Sequence, residues 1–337
     1  MTVRGENPLW SEWQGTHRVD VVGLGQCALD QVLLVDGTPE FTGKKRIADL
    51  MEFTGGQIAT GVLACTRLGL SGTLLTAVGD DARSETVLEP LGRAGVDLTG
   101  VRVVPGADSQ FSVIVVDRET GERTVFWHRD SRLFMRVREV GRDEIVQGRV
   151  LLLDAQDLEL STWAAGVAQE AGIPVVLDAD TPEPGIDALL RRVDFPIVSR
   201  EFAEKHFGTR SPRDFLRGLT ALGACFPVVT LGDRGAVAGG REGVIESPAF
   251  QVDARDTTGA GDVFHAAFIW GLLEGLSEAR ILQAANAAAA MNCRALGAQG
   301  GLPSRAELED FLQHGEHFLQ HGDPHPGEGG SVPSEEG

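Results

Sequence analysis

QVDARDTTGAGDVFHAAFIWGLLEGL, residues Gln251 to Leu276, passes from an extended stretch through a glycine-rich turn into an apolar helix. Gly259 and Gly261 lack a Cβ, so the backbone can approach a ligand closely there. A helix beginning near Gly261 aims its unpaired N–H groups and positive dipole end into the same space. The stretch Gly259-Ala260-Gly261 therefore makes an anion hole suited to a transferring phosphoryl group. Asp262 stands at the mouth of that hole, where its carboxylate can accept the proton of an attacking hydroxyl. By spacing alone, Asp262 serves equally well as a plain helix cap.

Working outward, short apolar runs alternate with helical patterns. Val19–Leu24, the segment GTLLTAVGDD, Val150–Leu153, Val175–Leu177, Pro196–Val198 and Val228–Leu231 read as buried strands. Ile58–Leu68, Ser161–Ala171, Ile186–Arg192 and Ser211–Leu222 read as helices between them. Such alternation predicts an α/β fold, a mostly parallel sheet covered on both faces. Two segments break it, Gln31–Leu50 and Val101–His128, with period-two patterning and turn signals. Within the second, QFSVIVVDRETGERTVFW reads as a hairpin turning at Thr120-Gly121. A small β lid over a cleft and a plain surface hairpin both fit that pattern.

Composition narrows the function. The chain has 337 residues, 42% of them hydrophobic, and a formal charge of −19. Its acidic balance argues against nucleic acid or an anionic membrane as partner and for a small molecule. Cys27, Cys65, Cys225 and Cys293 are scattered without ligand spacing and read as buried small residues in a reducing compartment. The N-terminus has no apolar signal core and no run is long enough to span a bilayer, so the expected location is cytoplasmic. Residues 1–17 read as a polar extension and 18–320 as the folded domain. The tail at 321–337 is Gly-, Pro-, Ser- and Glu-rich and is expected to be disordered; His321 and His325 are poorly spaced for a metal.

The whole Asp256-to-Asp262 string resembles the C-terminal signature of the ribokinase/PfkB family of carbohydrate kinases, and the resemblance extends from about Val19 to Pro303. It implies a three-layer α/β/α fold with a β lid, ATP and Mg²⁺ as requirements, and a homodimer formed through the lid. The family's N-terminal Gly-Gly signature is matched by Gly55-Gly56-Gln57-Ile58-Ala59-Thr60, with Thr60 where the family usually has Asn. In GLGQCALD the family places a substrate aspartate at Asp30, a good acceptor for two sugar hydroxyls. A solvated turn aspartate is the plainer reading of that position. The resemblance further implies Thr230, Gly232 and Gly235 along the ATP site and Asn286 near the adenine. It also places a monovalent cation, K⁺, near Asp256, Thr258 and the loop Ala295–Gly300. An Asn-x-x-Glu motif common in the family is replaced by Ser199-Arg200-Glu201-Phe202, where Glu201 or Glu204 would reach Mg²⁺ through water. In TVFWHRDSRL, the cations His128, Arg129 and Arg132 sit where Arg129 would bind an anionic group on the acceptor; a solvated charged turn is the alternative. VVLDADTPEP and DTTGAGDVFHAAF look closest to the sulfofructose-kinase and ketohexokinase branch.

Rival classes leave traces. A nucleoside kinase of the same fold is the alternative reading. Gly23-Leu-Gly25-Gln-Cys-Ala28 fits a dinucleotide fingerprint, which would make the chain an NAD-dependent dehydrogenase, but no helical pattern follows it before Pro39. A non-catalytic sugar- or nucleotide-binding protein would need the base lost, and Asp262 is present. No Walker A motif occurs.

Overall fold

The computed structural model describes residues 17–37, 42–120 and 123–318; the expected tail, most of the N-terminal extension and Gly121 of the hairpin turn lie outside them. In chain order the first half runs β1 (Val19–Leu24), β2 (Ala28–Val35), β3 (Ile47–Gly55), α1 (Gln57–Arg67), β4 (Gly72–Gly79), α2 (Ala82–Arg93), β5 (Val101–Val104), β6 (Phe111–Asp117), β7 (Arg123–His128), α3 (Arg142–Val146) and β8 (Gly148–Asp154). It continues through α4 (Leu158–Glu170), β9 (Val175–Ala179), α5 (Asp187–Leu190), β10 (Phe195–Ser199), α6 (Arg200–Phe207), α7 (Pro212–Leu222) and β11 (Val228–Thr230). β12 (Ala236–Gly240), β13 (Gly243–Ser247), α8 (Ala260–Leu273), α9 (Glu278–Asn292) and α10 (Arg305–Phe318) complete it.

Nine strands form one sheet in the order β13-β12-β11-β10-β9-β8-β1-β4-β5. Seven run parallel, and the β12–β13 hairpin closes one edge antiparallel. Successive strand residues point to opposite faces, so a sheet covered on both sides needs continuous apolar strands. Val21, Val150 and Leu152 face α1, α2, α8, α9 and α10, whereas Val22, Leu151 and Leu153 face α3 to α7. The result is the expected three-layer α/β/α body.

β3-β2-β6-β7 form a second, four-stranded sheet. β2 pairs antiparallel with β3 and parallel with β6, and β6 with β7 make the expected hairpin. Val101–Val104 departs from expectation. It lies at the edge of the large sheet, parallel to β4 (Thr76↔Val101), because α2 returns the chain to the same sheet as a β-α-β crossover. Conversely β2 begins at Ala28, so Asp30 sits on a strand and not in a turn. Cys225 also differs, being exposed ahead of β11 while the other three thiols are buried. β1 passes straight into β2 through Gly25, Gln26 and Cys27; without a helix there, the dinucleotide fingerprint has no phosphate site.

Candidate active site

The carboxyl ends of the parallel strands converge on the start of α8. Gly259 is the N-cap of α8, left-handed at φ 75°, with no side-chain cap hydrogen bond. A Cβ on Gly259 would lie 2.6 Å from the Ala298 carbonyl oxygen, whereas one on Gly261 would meet nothing within 4 Å. The two glycines therefore differ: the first is demanded by the fold, the second leaves the helix mouth open. Ala260 N–H turns back to the Thr257 carbonyl (3.3 Å) and Val263 N–H to the Gly259 carbonyl (2.9 Å). Ala260 N–H thus leaves the expected set, whereas the Gly259, Gly261 and Asp262 N–H groups make no backbone hydrogen bond among the described residues.

Asp262 is the third residue of α8. Burial, followed by the negative charges of Asp178, Asp30 and Asp180, pushes its carboxyl well above the usual carboxylate range, while the Thr60 hydroxyl pulls the other way. Thr60 is wholly buried on α1, and its Oγ1 has no regular hydrogen bond, so this hydroxyl faces the Asp262 carboxylate with its bonding capacity unspent.

Asp30 reaches the same space from the second sheet. Its carboxylate packs on Gly55, where an added Cβ would lie 2.0 Å from Oδ2, and Ser112 stands directly across on β6. Burial, opposed by a hydrogen bond from Ser112 and helped by the charge of Asp256, raises its pKa to about 6. Gly56 (φ 87°) starts α1 under the Gln26 carbonyl, which a Cβ would approach to 2.7 Å. Gln57 follows and donates from Nε2 to Asp178 Oδ1 at 3.0 Å.

Arg129 is placed elsewhere. Its side chain is buried in an ion pair with Asp157 (2.9 Å), donates to the Leu133 carbonyl (3.3 Å) and lies over the Phe134 ring at 4.2 Å. Arg132 is likewise held, by Asp130. In place of the free guanidinium expected at Arg129, the structure has one held by a buried carboxylate, with its buried Nη1 left without a hydrogen bond.

Thr230 ends β11, its hydroxyl toward the Val198 carbonyl (3.5 Å). Gly232 and Gly235 bracket the tight turn that follows, at φ 64° and 87°. Asn286, buried on α9, donates from Nδ2 to the Ser247 carbonyl and hydroxyl, both at 2.9 Å. A Cβ on Gly235 would strike that same Ser247 carbonyl at 2.1 Å, so Asn286 and Gly235 fix one loop from two sides.

Asp256 ties the approach to α8 together. Oδ1 accepts from Thr258 N–H (2.9 Å) and hydroxyl (2.7 Å), and Oδ2 from Gly297 N–H (2.8 Å). Its oxygens thus hold backbone. Glu201 is exposed at the first turn of α6, with Arg200 at 3.6 Å. Among the described residues no cluster of three or more His, Cys, Asp or Glu side chains has metal-binding geometry.

Four functional candidates were not singled out from sequence: Asp178 near the end of β9, Asp180 just after it, Asp154 at the end of β8, and His265 on α8. Asp154 is buried and accepts from the Gln26 N–H (2.8 Å) and Gln156 N–H (3.0 Å); burial lifts its pKa to about 7 against those bonds. The available signal was their place, since in open α/β sheets ligands collect at the carboxyl ends of strands.

Comparison with known proteins agrees with this geometry. The model of the pfkB family carbohydrate kinases matches residues 18–305. The ribokinase of Haemophilus influenzae is 28% identical over 274 residues, 77% of this chain and 87% of that protein. The ATP-dependent ribose-1-phosphate kinase of Halopiger xanaduensis is 30% identical over 311 residues, 87% of this chain and 98% of its own. A crystal structure of a protein from Agrobacterium tumefaciens assigned as a ribokinase superposes with a TM-score of 0.83 at 29% identity, covering 90% of this chain and 99% of the other. The fold, the glycine-started helix with its aspartate, and these matches lead to one conclusion: the chain belongs to the pfkB family of carbohydrate kinases, phosphotransferases that act on an alcohol group.

Proposed function

We propose that the protein transfers the γ-phosphate of ATP to a hydroxyl of an uncharged carbohydrate, with Asp262 as the base. The observation that carries this reading is the meeting of Asp262, at the open N-terminus of α8, with Asp30 from the second sheet. Asp30 accepts hydroxyls of the sugar beside Gly55, Gly56 and Gln57, and Thr60 helps orient Asp262. The acceptor hydroxyl loses its proton to the Asp262 carboxylate as its oxygen attacks phosphorus. The Gly261 and Asp262 N–H groups take up the charge on the transferring group. A raised Asp262 pKa suits a group that must receive a proton in the reaction, and phosphate charge with Mg²⁺ nearby alters it further. The small sheet acts as the lid that keeps water from the phosphoryl group.

On the nucleotide side, the turn Gly232–Gly235 and the loop held by Asn286 form the ATP wall, with Thr230 at its base. The oxygen-only carboxylates around α8 fit Mg²⁺ by donor type, and Mg²⁺ on ATP would offset phosphate charge. Asp180 or Glu201 would hold it through water. A K⁺ near Thr258 and Ala295–Gly300 would rest on backbone carbonyls, since Asp256 is engaged internally. Exposed Trp127, Phe126 and Leu50 on the outer small-sheet strands support a homodimer through that sheet.

The neutral acceptor follows from Arg129 and Arg132 being matched by their own aspartates beside an acidic site. The test is a phosphorylation screen with ATP against pentoses, ketoses, their phosphates and sulfonates, and nucleosides, with ³¹P NMR of the product. Turnover of a neutral sugar is expected. Selective turnover of sugar phosphates sinks the neutral-acceptor reading, and no turnover of any alcohol sinks the kinase reading. Preference for nucleosides moves the protein to the nucleoside branch.

A further inference from the structure

His265 is a buried titratable group that the reaction described above does not use. It lies one turn below Asp262 on α8, 3% exposed. Its Nδ1 stands 2.7 Å from the Gly261 carbonyl oxygen and 3.4 Å from Asp178 Oδ2, and its Nε2 stands 3.3 Å from the Ile197 carbonyl oxygen on β10. All three neighbours are acceptors. A neutral imidazole has one donor and one acceptor nitrogen, so either tautomer would set a lone pair against a carbonyl or carboxylate oxygen. Two ring protons satisfy both sides.

The groups that face the ring come from several elements. Asp178 on β9 faces the ring, with Asp180 just beyond it and Asp262 on the same helix, while Gln57 from α1 occupies the other Asp178 oxygen. β10 contributes only the Ile197 carbonyl. Among the described residues, His265 Nδ1 is the ring nitrogen that stands against Asp178 Oδ2, at 3.4 Å.

The carbonyl it grips is the useful one. Gly261 C=O and Asp262 N–H belong to a single rigid peptide plane and point in opposite directions. Holding the oxygen from below aims the N–H outward, where the phosphoryl group would pass. We infer that His265, as an imidazolium bridging Asp178 and the Gly261 carbonyl, is a positioning residue that fixes the first turn of α8 for phosphoryl transfer. This inference rests on the reading of α8 as the phosphoryl site; burial raises the Asp178 carboxyl above its ordinary range, and a charge on His265 opposes that rise.

The experiment has a spectroscopic and a kinetic arm. ¹⁵N-correlated NMR of the histidine side chains at pH 7.5, assigned with His265→Gln, is expected to show both ring nitrogens of His265 protonated, and Asp178→Asn to return the ring to one proton. His265→Phe, which keeps volume and removes both donors, is expected to lower kcat by roughly 10- to 100-fold, as small misplacements of reacting groups do, with both KM values within about twofold. His265→Gln, which restores one donor toward Gly261, should recover most of that loss. A neutral ring in the wild type overturns the inference, and so does a folded His265→Phe with unchanged kcat. Should His265→Phe not fold, the ring protonation and the kcat of His265→Gln against wild type still decide it. Failure of the underlying reading looks different: Asp262→Asn would then turn over normally, whatever the protonation of His265.

Discussion

The two sheets bury their side chains on opposite terms. The central strands of the large sheet are apolar on both faces; β4 is buried at every residue, and Phe195 on β10 packs edge-on to Phe268 of α8 at 5.7 Å. The small sheet has one face toward the body and ends in β7, exposed along its whole length. Yet it is the small sheet that contributes Asp30. The large sheet holds the reacting helix rigid, while the sparsely packed sheet contributes the residue proposed to choose the acceptor. Rigidity is placed where phosphoryl geometry must not drift, and looseness where a substrate must enter.

Mutations can break this contrast, beginning with the strongest. Phe195→Ala should destabilise the fold by about 3–5 kcal/mol in chemical denaturation, as a large core truncation beneath α8. A loss comparable to a surface change would mean that the large sheet is not the rigid partner. Asp262→Asn comes next: kcat should fall by at least ~100-fold with ATP binding by calorimetry nearly unchanged. On the other sheet, Asp30→Ala should raise the acceptor KM by roughly tenfold or more and leave the ATP KM alone, consistent with loss of charge-assisted hydrogen bonds. Gly55→Ala should mimic it more weakly, because its Cβ must displace the Asp30 carboxylate. Equal effects on both KM values from either variant would remove the division of labour.

Acid sharpens the same comparison. The Asp30 pKa is raised to about 6, so below that pH the carboxyl gains a proton and loses acceptor strength; acceptor KM should climb as pH falls through 6. Stability moves the other way. A carboxyl raised above its unfolded value of 3.8 destabilises the fold while ionised, and that contribution is relieved as pH falls from about 6 toward 3.8. Weak acid should therefore hurt binding through Asp30 without unfolding the protein through it. At the small end, Trp127→Ala on exposed β7 should shift monomer stability by no more than about 0.5 kcal/mol; sedimentation of the same variant tests the dimer proposal.

Much of the body was legible because periodicity reports burial. The continuous runs at Val150–Leu153 and Val175–Leu177 could belong only to strands covered on both sides, and they do. The Gly259–Asp262 turn was legible because glycine and a helix start leave few local alternatives. What escaped was whatever depends on a distant partner. Arg129 reads as a free cation until Asp157, 28 residues on, is seen beside it. Val101–Val104 has strand character, but local pattern does not say which of two sheets a four-residue strand joins. His265 looks like one more core position in an apolar helix, and only Asp178 and the Ile197 carbonyl, from separate strands, give it a role.

Gly261 carries a consequence for how this chain could change over generations. Nothing in the protein stands where its Cβ would go, and helical alanine is favoured over glycine by roughly 0.5–1 kcal/mol. A library of variants screened only for folded yield should therefore drift toward alanine at 261 while keeping glycine at 259, where Ala298 blocks any side chain. The same library screened for turnover should hold glycine at both. With Gly261 in its proposed role at the helix mouth, heritable stability and heritable activity would pull apart at that one position, and glycine would persist there for the sake of a guest molecule.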